Sequence, residues 1–204
     1  MQTPLRTTHY ALRTTRGFTL VEMIVAVGLF AIVMVVCVST LLSLVNANRK
    51  AQALQSVMNN LNIALDGMVR SARAGSVYHG AGGNASCGGL NYNTPHDCVS
   101  GGTIFAFEPY GNSSSDQPWV YSFAQDDNGI GRIYKSENGG IPIPITAPEV
   151  IIKDVQFYVV GTTRGDTTQP KAVIVVKGEA GVPGSKAQTT FHIQATSVQR
   201  LLDL

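Results

Sequence analysis

The chain has no charged residue between Glu22 and Arg49, no proline between Pro4 and Pro95, and no acidic residue among its first seventeen. The uncharged run Met23 to Asn48 exceeds the roughly 20 residues that a helix rising about 1.5 Å per residue needs to cross a hydrocarbon layer of about 30 Å. A protein that never meets a membrane is thereby excluded. Charged residues are only 14% of the 204 while hydrophobic ones are 44%, which excludes a chain kept disordered by its charge. Large multidomain enzymes are excluded by length alone. Of the 15 Lys+Arg, three (Arg6, Arg13 and Arg16) precede the apolar run, and the remaining 12 face 13 Asp+Glu. The body of the protein therefore lacks the basic excess that marks a nucleic-acid or anionic-lipid binder, and nucleic acid is not an indicated partner.

Catalytic signatures are missing as well. His9, His79, His96 and His192 have no metal-ligand spacing, and no C-x-x-C, G-x-S-x-G, P-loop or dinucleotide fingerprint occurs. The chain is expected to be no enzyme and to hold no cofactor and no metal; a tethered hydrolase would need convergent polar residues that a sequence does not display. Asp126, Asp127 and Asn128 offer calcium-type oxygens but not the spacing of a known calcium loop, and a hairpin turn is the expected role. Asn84-Ala85-Ser86 and Asn112-Ser113-Ser114 match the glycosylation triplet, a pattern common by chance in Ser-rich loops.

Cysteine is sparse, with three residues. Cys37, inside the apolar run, is expected to pack as a small hydrophobe. Cys87 and Cys98 flank a stretch of Gly, Asn, Pro and Asp too irregular for helix or strand, and they are expected to form a disulfide rather than remain two thiols on a loop. Closing a loop of that size stabilises by about 3 kcal/mol in the chain-entropy model and requires an oxidising compartment.

The N-terminal segment is short, basic and polar, and it ends at Gly17. No small-x-small cleavage site closes the apolar run before Asn46, so an ordinary secretory signal does not fit. The sequence Arg16-Gly17-Phe18-Thr19-Leu20-Val21-Glu22, followed by the uninterrupted apolar run, resembles the leader junction of type IV prepilins and type II secretion pseudopilins. The resemblance is close over roughly residues 13 to 45 and extends to the rest only in layout.

In that family a membrane-embedded prepilin peptidase cuts after the residue matching Gly17 and methylates the new amine, here on Phe18. The acid matching Glu22 pairs with the N-terminal amine of a neighbouring subunit. A carboxylate among lipid tails costs about 2.5 to 3.5 kcal/mol on insertion scales, so Glu22 either finds such a partner or is solvated by headgroups. The implied partners are other pilin or pseudopilin subunits, prepilin peptidase, an inner-membrane assembly platform with its ATPase, and membrane lipid before assembly. The implied location is the bacterial inner membrane, single pass, then a periplasmic or cell-surface filament. The leader arginines weakly favour a cytoplasmic N-terminus. Many family members carry a mid-membrane proline that is missing here, so the subclass stays open. A single-pass anchor displaying a binding or sensing domain is the alternative.

After Asn46 the apolar pattern becomes periodic. Leu54, Met58, Leu61, Leu65, Met68 and Ala72, widened by Val57, Ala64 and Val69, form the stripe of an amphipathic helix. The expected organisation is a leader 1–17, a membrane or filament-core half-helix 18–46, an amphipathic half 47–75 and an exported β-rich domain 76–204. Residues 80–102, dense in glycine, are expected to be an irregular loop. Strands are predicted at Thr103 to Phe107, Trp119 to Ala124, Ile130 to Lys135, Val150 to Val160, Ala172 to Lys177 and Thr189 to Val198. Asp126-Asp127-Asn128-Gly129 signals a hairpin, and Ile141-Pro142-Ile143-Pro144 is expected to be an edge or extended segment. Trp119, Tyr121 and Phe123 share a face, expected to be core, with an adhesive patch as the alternative. The fold class is α+β: a long N-terminal helix packed on an antiparallel sheet.

Overall fold

A computed structural model of the protein describes residues 17–83, 87–111, 117–181, 184 and 188–200. The leader arginines and both Asn-x-Ser triplets lie outside the described residues. The chain divides into two compact units, Met1–Val45 and Asn46–Leu204.

The first unit contains the start of helix α1 (Leu20–Ala74). Its threonine and serine hydroxyls are satisfied locally: Ser39 donates to the Val36 carbonyl at 2.9 Å and Thr40 to the Cys37 carbonyl at 2.8 Å. Such back-bonding lets hydroxyls sit in an apolar helix without an external partner. Every residue from Gly17 to Val45 is exposed. Cys37 is a free thiol and exposed too, so it is not buried by the described residues.

The second unit carries the rest of α1 and an antiparallel sheet. Val57, Leu61, Ala64, Leu65, Met68 and Ala72 are buried, with Leu54, Met58 and Val69 packed at the margin. The apolar stripe is the one periodicity demanded, centred slightly towards Val57 and Ala64. The strands are β1 (Ser76–Gly83), β2 (Cys98–Glu108), β3 (Trp119–Gln125), β4 (Gly131–Glu137), β5 (Ile143–Pro144), β6 (Ile151–Val160), β7 (Lys171–Ala180) and β8 (Thr189–Val198). Their order is β1-β2-β3-β4-β6-β7-β8, with β5 paired to β4 and a further pairing of β2 with β6. The fold is thus α+β, a long apolar-then-amphipathic helix followed by an antiparallel sheet domain.

The core is aromatic at its centre. Phe105 stacks on Phe107 and Phe157, and Phe107 stacks on Tyr121, with ring centroids 5.6 to 6.0 Å apart. Tyr121 is buried, and Trp119 and Phe123 pack against the same cluster, so this face of β3 is core. Lys135, opposite Tyr121 in register, places its ammonium 3.6 Å from the Trp119 ring centroid and caps the row by a cation–π contact. Two tyrosine hydroxyls tie the helix end to the sheet: Tyr78 donates to the Ala72 carbonyl at 2.8 Å, and Tyr121 lies 3.0 Å from the Ser71 hydroxyl. Burial raises the pKa of both tyrosines.

The expectation of an irregular loop over 80–102 is corrected. Its ends are strand, in β1 and the first half of β2, and among the described residues between them 87–97 are irregular. Two of the glycines there mark crowding: a Cβ on Gly102 would collide with the Ala81 carbonyl oxygen, and one on Gly80 with the Cys98 Cβ. β1 also holds the least comfortable backbone of the described residues, Val77 with φ of 54° at the irregularity between Ser76 and His79. A β-branched side chain is costly in that region.

Two turns shape the far side. Asp126 and Ile130 close a three-residue loop in which Gly129 donates to the Asp126 carbonyl at 2.8 Å. Asn138 and Gly139 both have positive φ, and Gly140 donates to the Glu137 carbonyl at 2.8 Å, the geometry of a type I′ turn. Beyond it Ile145 donates to the Ile133 carbonyl at 2.9 Å, so the alternating nitrogens of Pro142 and Pro144 face away from β4.

Candidate functional site

Gly17, Phe18 and Thr19 lead into α1 without helical structure. A Cβ on Gly17 would meet nothing within 4 Å, so the Gly17–Phe18 peptide bond is unshielded by the described residues. Phe18 is 78% exposed. Thr19 caps the helix: its Oγ1 accepts the Glu22 N–H at 3.2 Å. Thr19-Leu20-Val21-Glu22 therefore has the spacing of a capping box, a signal that sequence reasoning passed over because attention fell on charge alone. An acid in the first turn also suits the positive end of the helix dipole. Among the described residues the Glu22 carboxylate has no hydrogen bond or ion pair. Its backbone is fixed by the cap while its side chain is exposed.

The second candidate, the acidic turn at Asp126, is occupied internally. One Asp126 oxygen accepts the N–H groups of Asn128 and Ile130, each at 2.9 Å, and the other accepts the Arg132 Nε at 2.8 Å. Hydrogen bonding to Arg132, then to the Ile130 amide, lowers the Asp126 pKa. These bonds build the hairpin.

Cys87 and Cys98 are joined in a disulfide. The chain between them folds back along β1, with bridges His79 to His96 and Ala81 to Gly88. Backbone bonds from Gly80 to the His96 carbonyl, from His96 to the Tyr78 carbonyl and from Gly88 to the Gly80 carbonyl hold it there. Beneath it lies His79, 2% exposed, a residue that sequence reasoning gave no role. Its Nδ1 is 2.6 Å from the Thr94 carbonyl oxygen and its Nε2 is 2.9 Å from the Gly89 carbonyl oxygen. No motif announces this arrangement, because both partners are main-chain atoms.

A groove of about 460 Å³ runs beside this flap, walled by Leu90 to Asn93 and floored by Ile104, Val120 and Ser122. No charged side chain lines it.

Comparison with known proteins locates the N-terminal region. No curated protein and no solved structure matches the chain. One family model does, that of the prokaryotic N-terminal methylation motif, over residues 12–38. The matched stretch spans Gly17, Phe18 and Glu22 and enters the exposed apolar part of α1. The chain therefore carries the prepilin-type cleavage and methylation signal.

Proposed function

We propose that the protein is a structural subunit of a type IV pilus-like or type II secretion filament, made as a prepilin and cut after Gly17. The observation that supports this best is the conjunction at one place of the methylation motif and an apolar helix long enough to cross a membrane. In this reading residues 1–17 are leader, 18–46 enter first the inner membrane and then the filament core, 47–75 pack on the sheet, and 76–204 are exported. Prepilin peptidase and like subunits are the partners, with an ATPase-driven platform in the inner membrane. The chain orients with its leader in the cytoplasm.

Glu22 sets the register. Cleavage exposes an amine on Phe18, and the Glu22 carboxylate, free of any described partner, neutralises the amine of an adjoining protomer in a layer where neither charge is tolerated alone. Contacts of this head-to-tail kind do not close and so grow a filament. The size of the exported domain favours a minor subunit. Mass spectrometry of the native N-terminus is the test, with methylated Phe18 as the expected first residue; a retained leader would defeat the proposal. Glu22→Ala is expected to leave membrane insertion intact and to block incorporation. A plain single-pass anchor would be indifferent to that change.

A further inference from the structure

We propose that His79 is a protonation-dependent latch for the flap 88–97, holding it in place as an imidazolium. A carbonyl oxygen only accepts, and a neutral imidazole has one N–H and one bare nitrogen. Both His79 nitrogens face carbonyl oxygens, of Thr94 at 2.6 Å and Gly89 at 2.9 Å. The ring with two protons donates to both. After loss of one proton, one nitrogen lone pair confronts a carbonyl lone pair at hydrogen-bond distance, in a site without exposed surface to admit water easily. The two carbonyls belong to opposite ends of the flap, so losing either bond frees one end of it.

Among the described residues the titratable rings in contact with His79 are those of Tyr92 and His96, with centroids 5.5 and 5.7 Å from its own. Burial raises the Tyr92 pKa, so that residue stays neutral. His96 turns its Nδ1 to the Asp97 carbonyl, and the Asp97 carboxylate accepts the Thr162 N–H. From β2 the register neighbour of His79 is Ala106. The disulfide Cys87–Cys98 pins the flap's base at either pH, so the latch governs the interior of the flap and not its attachment. Leu90 to Asn93 form one wall of the 460 Å³ groove, whose width therefore follows the protonation of His79.

The test is amide hydrogen exchange of the full chain in detergent at pH 5.5 and pH 8, corrected for intrinsic exchange and referenced to amides of β6 and β7. Protection at Gly80, Gly88 and His96 is expected to fall at least tenfold at the higher pH. His79→Gln is expected to remove the difference, leaving the flap equally weak at both, while His96→Gln preserves it. Equal protection at both pH values in the unmodified protein would overturn the proposal, as would a response that survives His79→Gln or disappears with His96→Gln. Should His79→Gln fail to fold, nitrogen NMR of the native ring decides: two protonated nitrogens at pH 5.5 support the latch, and a single neutral tautomer there refutes it.

Discussion

The two parts of α1 are one helix by hydrogen bonding and two by chemistry. From Leu20 to Val45 apolar side chains cover every side and all are exposed. From Asn46 to Ala74 they are confined to a stripe that the sheet buries. A helix apolar all round is a buried or membrane helix, whereas a striped one is half of a folded domain. The first part contributes no residue to the buried core, and its apolar surface suits lipid or other helices. The second part is inseparable from the core.

That contrast is sharpened most by paired truncations. Leu61→Ala removes a fully buried side chain and is expected to destabilise the sheet domain by about 4 kcal/mol, seen as a lower denaturation midpoint. Leu29→Ala, in the exposed part, is expected to shift that midpoint by less than about 0.5 kcal/mol; an equal loss would erase the distinction. Next in size, replacing Cys87 and Cys98 together by serine is expected to cost about 3 kcal/mol in the same measurement, with no effect on membrane insertion. A smaller effect of opposite sign is expected for Val77→Asn, which tolerates the positive φ and should stabilise by about 1 kcal/mol.

The smallest effects are in pH dependence, and they too belong to the second unit alone. Tyr78 and Tyr121 hold their protons more tightly when folded, so stability from them is complete below the ordinary tyrosine range and is lost as pH rises above about 10. Asp126 holds its proton less tightly when folded, so its contribution is present above about pH 4 and fades as pH falls below that. Thermal melts across pH 2 to 11 check both signs, and Asp126→Asn should flatten the acid limb.

Much of this architecture is legible in the sequence. Strands from β3 onward alternate strongly or carry β-branched runs, and Thr189–Val198 matches its predicted bounds. The stripe from Leu54 to Ala72 gave the packed helix face. β1 was not legible, since Ser76-Val77-Tyr78-His79-Gly80-Ala81-Gly82-Gly83 is rich in a residue that weakens strands. Its glycines are required by neighbours distant in sequence, and only the fold supplies those. The type I′ turn at Asn138-Gly139 was legible in principle, but the prolines after it drew the reading towards an edge. At the N-terminus the motif is contiguous and was read directly; the capping role of Thr19 was overlooked. His79 was invisible for a different reason, because main-chain carbonyls have no letter.

Pro142 and Pro144 have a consequence for any second sheet that meets this edge. Their nitrogens, turned outward, have no hydrogen to offer, so an approaching β-segment finds acceptors but no donors along that rim. A second sheet can touch there without fusing to this one.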